Sequence, residues 1–121
     1  MVDTDRLTKG FNIGTVLGTI LVAPYNYSAE IYGFRYANPN PLATVMAELT
    51  SQSSGTITAT IDEVVLTPGQ PVVRDSLAER PLAVLQAGDA LMGAVIVPTG
   101  AAGSIMGVIV YKWVPGRLKG Q

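Results

Sequence analysis

The sequence predicts an all-β protein, an antiparallel β-sandwich or jelly roll of about eight short strands. Three observations support this prediction. Apolar runs rich in Val, Ile and Thr, which favour strands, recur along the 121 residues. Gly, Pro and Asn separate these runs at short intervals, as they do in turns. No stretch shows the periodicity of an amphipathic helix of three turns.

The first part of the chain contains an arm and two strands. Residues 1–10 are mostly polar and are predicted to form an exposed N-terminal arm, because they offer little apolar surface to a core. The sandwich domain is expected over 11–114, with a C-terminal tail over 115–121. The first strand is predicted over Ile13–Val22, and the second over Ser28–Tyr36.

A group of aromatic residues lies in and before the second strand, and consists of Tyr25, Tyr27, Tyr32, Phe34 and Tyr36. Alternation with a period of two places Tyr32, Phe34 and Tyr36 on one face. If exposed, the group would stack on sugar rings, so a carbohydrate-binding module is an alternative function. We prefer a role in the core and in an interface, because aromatic residues supply much of the buried area of small proteins.

The middle of the chain contains further short strands. A strand is preferred over a helix at Leu42–Thr50, because Pro41 and a polar segment after Thr50 leave only a short alternating run. The cleanest alternation is at Thr56–Ile61, where one face is expected to be buried. Val72 and Val73 form a short edge strand, and another strand follows at Leu82–Leu85.

The segment Pro81–Val114 organises the prediction. No charge occurs between Asp89 and Lys112, and Pro98–Gly103 divides the apolar sequence into two runs. We interpret these runs as the two strands of a buried β-hairpin.

The last strand is apolar on both faces. Ile105, Ile109, Tyr111 and Trp113 alternate with a second set, which consists of Met106, Val108 and Val110. A sandwich strand normally has one wet face, so the second set is the candidate oligomer interface. Coverage by a loop or by the N-terminal arm is the alternative.

Composition also points to self-association and argues against several functions. Charged residues make up 14% of the chain and apolar residues 48%, so a monomer would have difficulty covering its outside with polar groups. A net charge of -1 provides no basic field for nucleic acid.

The sequence gives little support for a catalytic or metal-binding function. The chain has no His and no Cys, which removes the commonest general base and thiolate metal sites. Carboxylates such as Asp62, Glu63 and Asp89 lie near turns or bends, without a catalytic motif. We therefore expect no enzymatic activity, no cofactor and no metal.

Two uncharged windows, Gly10–Ala29 and Ala90–Tyr111, are long enough to span a membrane as helices. A small two-span protein of the holin type is therefore a second alternative. Gly and Pro inside both windows favour strands instead. The N-terminus does not resemble a signal peptide, so synthesis in the cytoplasm without export is expected.

Two segments resemble small jelly-roll virion proteins of tailed phages. Pro81–Leu91 (PLAVLQAGDAL), with a hairpin closing on Gly107–Tyr111 (GVIVY), is similar to the end of such proteins, and Ser28–Pro41 (SAEIYGFRYANPNP) is similar to a strand that leaves through an Asn-Pro turn. The resemblance is one of pattern and carries over no functional residue.

Within that group, the chain is most similar to capsid decoration (cement) proteins, and tail and head-completion proteins share the same pattern. The resemblance implies a structural protein that is made in the host cytoplasm and lies on the outer surface of the capsid. It would stabilise the shell by contacts with the capsid and with copies of itself, commonly as a trimer.

Overall fold

The computed structural model describes residues 6–39, 44–75, 80–97 and 104–115. These residues contain no helix and form nine strands: β1 (Leu7–Gly14), β2 (Gly18–Val22), β3 (Tyr27–Ala37), β4 (Val45–Ser53), β5 (Thr56–Leu66), β6 (Val72–Asp75), β7 (Ala83–Leu85), β8 (Ala90–Val97) and β9 (Ser104–Pro115). The expected all-β class is confirmed.

The strands form two antiparallel sheets that pack face to face. Sheet A has the order β1-β9-β3-β6, with β7 also paired to β3, and sheet B has the order β2-β8-β4-β5. The pairs are nested: β1 with β9, β2 with β8, β3 with β6 and β7, and β4 with β5. The chain therefore runs as one long antiparallel ribbon folded across two sheets, which is the topology of a jelly roll.

One core lies between the two inner faces, and both sheets contribute to it along their whole width. Its largest fully buried side chains are Tyr36, Phe34, Ile20, Ile31, Leu49, Leu66, Leu85, Leu91, Ile105 and Ile109.

The hairpin predicted within Pro81–Val114 is wrong in its pairing. β8 lies between β2 and β4 in sheet B, whereas β9 lies between β1 and β3 in sheet A. Each strand is central in its own sheet, and this position accounts for the long apolar runs. The turn expected at 98–103 lies outside the described residues.

The N-terminal segment also differs from the expectation. The strand predicted over Ile13–Val22 is two strands, because β1 ends at Gly14 and β2 begins at Gly18 in the other sheet. β1 begins at Leu7, so part of the predicted arm belongs to sheet A. Residues 1–5 and 116–121 lie outside the described residues.

A bulge in β3 reverses the predicted alternation. Ile31 lies opposite Tyr111 on β9, but Gly33 lies opposite Val110, so Tyr32 is an extra residue on β3. Phe34 belongs to the core cluster while Tyr32 does not. The prediction that Tyr32 shares a face with Phe34 and Tyr36 is therefore wrong, since one inserted residue moves a side chain to the other face.

The strand preferred over a helix in the middle of the chain is confirmed by β4. A tight turn joins β4 to β5, with φ of 51° at Ser54 and 81° at Gly55, the signs that a type I′ hairpin turn requires. Thr56 to Thr60 are all exposed, contrary to the expected half-buried alternation. This part of β5 is a sheet edge with two register shifts, so it covers little of the core.

Candidate interaction surface

The candidate surface is the outer face of β9. Ile105 and Tyr111 point into the core, and the three predicted interface residues Met106, Val108 and Val110 lie on the opposite side of the strand. Met106 is 48% exposed, and both valines are half-buried. The structure thus brings the predicted residues together on one outer face.

A shallow groove of about 570 Å³ runs over this face. We call it the outer groove, and its ten lining residues include Gly10, Asn12, Arg35, Ala37, Met106, Gly107 and Val108. Val108 lies opposite Gly10 on β1 and Arg35 on β3, and the small residues Gly10 and Ala37 on the two sides leave the groove open. Most of the lining is apolar, which is unusual for the solvated face of an antiparallel sheet.

The charges beside the outer groove are largely compensated. Arg35 and Asp75 approach to 3.5 Å, with about half of each side chain exposed, so the pair is free to exchange partners at little cost. Further along the face, Arg6 covers the ring of Tyr32 at 3.9 Å, and the Tyr32 hydroxyl donates to Glu30 at 2.8 Å. A partner would therefore meet apolar surface with balanced charges at its margin.

The floor of the outer groove depends on a glycine. Gly107 lies opposite both Phe11 and Tyr36, whose rings meet edge to face at 6.2 Å on the core side. A Cβ atom at Gly107 would lie 2.5 Å from Phe11 Cζ and 2.6 Å from the backbone oxygen of Arg35. Only glycine allows Phe11 and β3 to approach β9 this closely.

The structure divides the predicted aromatic cluster among three places. Phe34 and Tyr36 stack in the core, at 5.8 Å between ring centroids. Tyr32 lies on the outer face, and Tyr25 and Tyr27 are exposed near the β2–β3 turn. The five residues do not form one platform for stacking sugar rings, because the bulge and the strand alternation separate them.

A polar connection between the two sheets gives one of the carboxylates, Asp62, a structural role. The Tyr36 hydroxyl donates to Oδ2 of Asp62 at 2.7 Å, and Arg74 Nε lies 3.5 Å from the same oxygen. Burial, and then the hydrogen bond to Asp62, raise the pKa of Tyr36 well above its ordinary value. Asp62 on β5 thereby ties sheet B to β3 and β6 of sheet A.

The side chains of the other carboxylates named in the sequence take no part in this connection, and the backbone N–H of Glu63 donates to Oδ1 of Asp62 at 2.9 Å. Glu63 is exposed on the edge strand β5, and Asp89 is buried in the turn before β8. Among the described residues, no group of three His, Cys, Asp or Glu side chains is placed to hold a metal ion.

A second cleft, of about 90 Å³, lies at the end of the sandwich beside Tyr25, Ser53 and Asp89. Sites for small ligands usually measure about 300–1,000 Å³. This cleft is too small for such a ligand.

Thr50 on β4 provides a stability prediction. The residue is 3% exposed, and its hydroxyl has no hydrogen-bond partner among the described residues. Thr50→Val removes this group and keeps the shape, so we expect the free energy of unfolding to rise by about 1 kcal/mol in urea denaturation. Thr58→Val is the matched control and should be destabilising, because the Thr58 hydroxyl lies 2.7 Å from that of Ser51. A loss of stability in Thr50→Val would contradict the prediction.

Comparisons with known proteins and structures found no relative of this chain. No protein-family model, no curated protein and no solved structure matches the chain. Among the described residues, no helix has the length and the apolar character that are needed to span a membrane.

Proposed function

We propose that this protein is a non-enzymatic structural protein of a phage virion, a decoration protein that binds copies of itself and the outer surface of a capsid. The proposal assigns it to the virion after synthesis in the host cytoplasm, with no nucleic acid, membrane or cofactor as partner. The outer groove is the observation that carries the proposal.

The outer groove supports a protein partner because it is apolar, open and bordered by charges that can exchange. Met106 and Val108 expose apolar atoms that water solvates poorly, and covering them is favourable at roughly 25 cal/mol per Å². The Arg35–Asp75 pair borders the groove, as polar residues border the core of a typical interface.

The fold and the composition give further support. Double-sheet jelly rolls occur in viral capsid proteins, lectins and cupins, so the topology is compatible with a virion role without selecting it. A low charge content also suits a protein whose outside is partly covered in an assembly.

Val108→Lys tests the outer face. The wild-type protein should sediment as a trimer, and in any case not as a monomer. A lysine at position 108 would place a charge in the contact, so the variant should sediment as a smaller species than the wild type and keep its β-type circular dichroism. It should also lose binding to capsid shells prepared without the protein.

Val65→Lys is the matched control, since Val65 is an exposed valine on the outer face of the other sheet. It should assemble and bind shells like the wild type. A wild-type protein that is monomeric at micromolar concentration, and that shows no affinity for shells, would overturn the proposed function.

A further inference from the structure

The free edges of the two sheets differ in their protection against pairing with another chain. Sheet A ends in β1 on one side and in β6 and β7, which both pair with β3, on the other, and sheet B ends in β2 and β5. β6 has four residues and β7 three, β2 has five with a register shift, and β5 has two register shifts. Short strands and bulges are the usual means of preventing edge-to-edge pairing.

β1 is neither short nor bulged, and its one charged residue, Lys9, lies on the core-facing side of the strand. All eight residues pair with β9 without a register shift, from Leu7 opposite Tyr111 to Gly14 opposite Ser104. On its other side, no described strand pairs with β1. The strand therefore presents a straight row of backbone N–H and C=O groups, which is a template for an added strand.

We propose that β1 pairs with β1 of a second copy of this chain, antiparallel about a two-fold axis at Gly10. The contact joins the two A sheets into one continuous sheet. The inference deepens the proposed function, because it rests on self-association and names the surface through which two copies meet.

The sequence of β1 is self-complementary in this register. Leu7, which is 44% exposed, lies opposite Ile13 of the second copy, so apolar meets apolar on the core side. Thr8 lies opposite Asn12 on the outer side, and Gly10 lies opposite Gly10.

Charge places one constraint on the pairing of two copies. Lys9 is the single charged residue of β1, and this register places it opposite Phe11, with Lys9 of the second copy two residues further along on the same face. Like charges directly opposite each other, which destabilise a sheet, are thus avoided.

The contact also enlarges the outer groove. Gly10 and Asn12 line the groove on the side of β1, so the two grooves meet across the axis. A two-fold contact alone gives two copies. Combined with the three-fold contact through the outer face it gives six, so a wild type that makes both contacts should sediment as a hexamer, and Val108→Lys as a dimer paired through β1.

A single cysteine tests the axis. The chain has no cysteine, and a Cβ at Gly10 has room, with its nearest neighbour 3.8 Å away at the Gly107 oxygen. Directly opposite residues of antiparallel strands lie about 4.5–5.5 Å apart between Cα atoms, a separation that a disulfide can bridge. Under mild oxidation, Gly10→Cys should convert mostly to a reducible covalent dimer on a non-reducing gel.

Exposed threonines on the two edges of sheet B provide matched controls. Thr19→Cys on β2 and Thr60→Cys on β5 should remain largely monomeric under the same oxidation, because a bulge interrupts each edge.

The register has its own test. Thr8→Cys and Asn12→Cys should each fail to cross-link alone, since like positions lie about 13 Å apart at about 3.4 Å per residue. An equimolar mixture of the two variants should form the mixed dimer. Cross-linking of either variant alone to the level of the mixture would overturn the register.

The outcomes separate this inference from the proposed function. If the wild type self-associates but Gly10→Cys cross-links no more than Thr19→Cys, the pairing through β1 is wrong while the proposed function stands. If Gly10→Cys cross-links but the protein does not bind shells and Val108→Lys assembles normally, the pairing stands and the outer-face proposal fails.

Discussion

Gly107→Ala should lower the free energy of unfolding by about 2–3 kcal/mol, measured by urea denaturation. The new methyl group would need the space now held by the Phe11 ring and by the backbone oxygen of Arg35, at 2.5 and 2.6 Å. The ring can turn aside, but a backbone oxygen in the middle of sheet A can move only if β3 separates from β9. The cost is therefore larger than the usual cost of a surface substitution.

Gly10→Ala is the matched control for this prediction. Gly10 lies on the neighbouring strand, and a Cβ there meets nothing closer than 3.8 Å. Its stability should stay within about 0.5 kcal/mol of the wild type. Phe11→Leu should recover part of the loss when combined with Gly107→Ala, because it relieves the contact with the ring and leaves the contact with Arg35. Equal stability of the two alanine variants would show that Gly107 is not under the predicted constraint.

Tyr36→Phe is expected to cost about 1–2 kcal/mol at neutral pH, because it removes a hydrogen bond to the largely buried carboxylate of Asp62. It should also change the response to alkali. The pKa of Tyr36 is raised in the folded protein, so above about pH 10 the unfolded chain releases this proton while the folded chain keeps it. The tyrosine's contribution is therefore complete below that pH and declines above it.

The measurement is the free energy of unfolding from pH 8 to pH 11.5 for both proteins. Above about pH 10, the wild type should lose about 1.4 kcal/mol per pH unit more than Tyr36→Phe, so the two curves should converge. Tyr25→Phe is the control, since Tyr25 is 73% exposed, and it should follow the wild type throughout. Parallel curves for the wild type and Tyr36→Phe would contradict the assignment.

Much of the architecture could be predicted from turn residues and alternation. The Asn-Pro segment after Tyr36 and the Ser-Ser-Gly segment before Thr56 both lie at strand ends. The prediction of a strand rather than a helix before Ser51 also agrees with β4. The partners of β8 and β9 could not be predicted in the same way. Apolar residues on both faces indicate a central strand, but they do not say which strands lie beside it.

Bulges caused the remaining errors. The extra residue Tyr32 reverses the alternation in β3, and nothing in a period-two pattern marks an insertion except the adjacent Gly33. Exposure of Ile57 follows from the irregular edge pairing of β5, which again depends on a partner strand.

The candidate surface could be predicted only in part from the sequence, for a related reason. Met106, Val108 and Val110 share one strand, so their common face follows from alternation alone. Gly10 and Arg35 reach the outer groove from β1 and β3, which are distant in sequence. Their role depends on strand order, and the sequence carries no local signal of it.

Nested strand pairing also decides when the binding surfaces come into existence. β9 forms the centre of sheet A, and its neighbours β1 and β3 are synthesised long before it. Sheets made from such distant pairings fold slowly, on a scale of about milliseconds to seconds. Until β9 has paired with β1 and β3, β1 is not held as an ordered edge strand and the outer groove has no floor. A nascent or partly folded chain therefore lacks both surfaces, and association begins only after sheet A is complete.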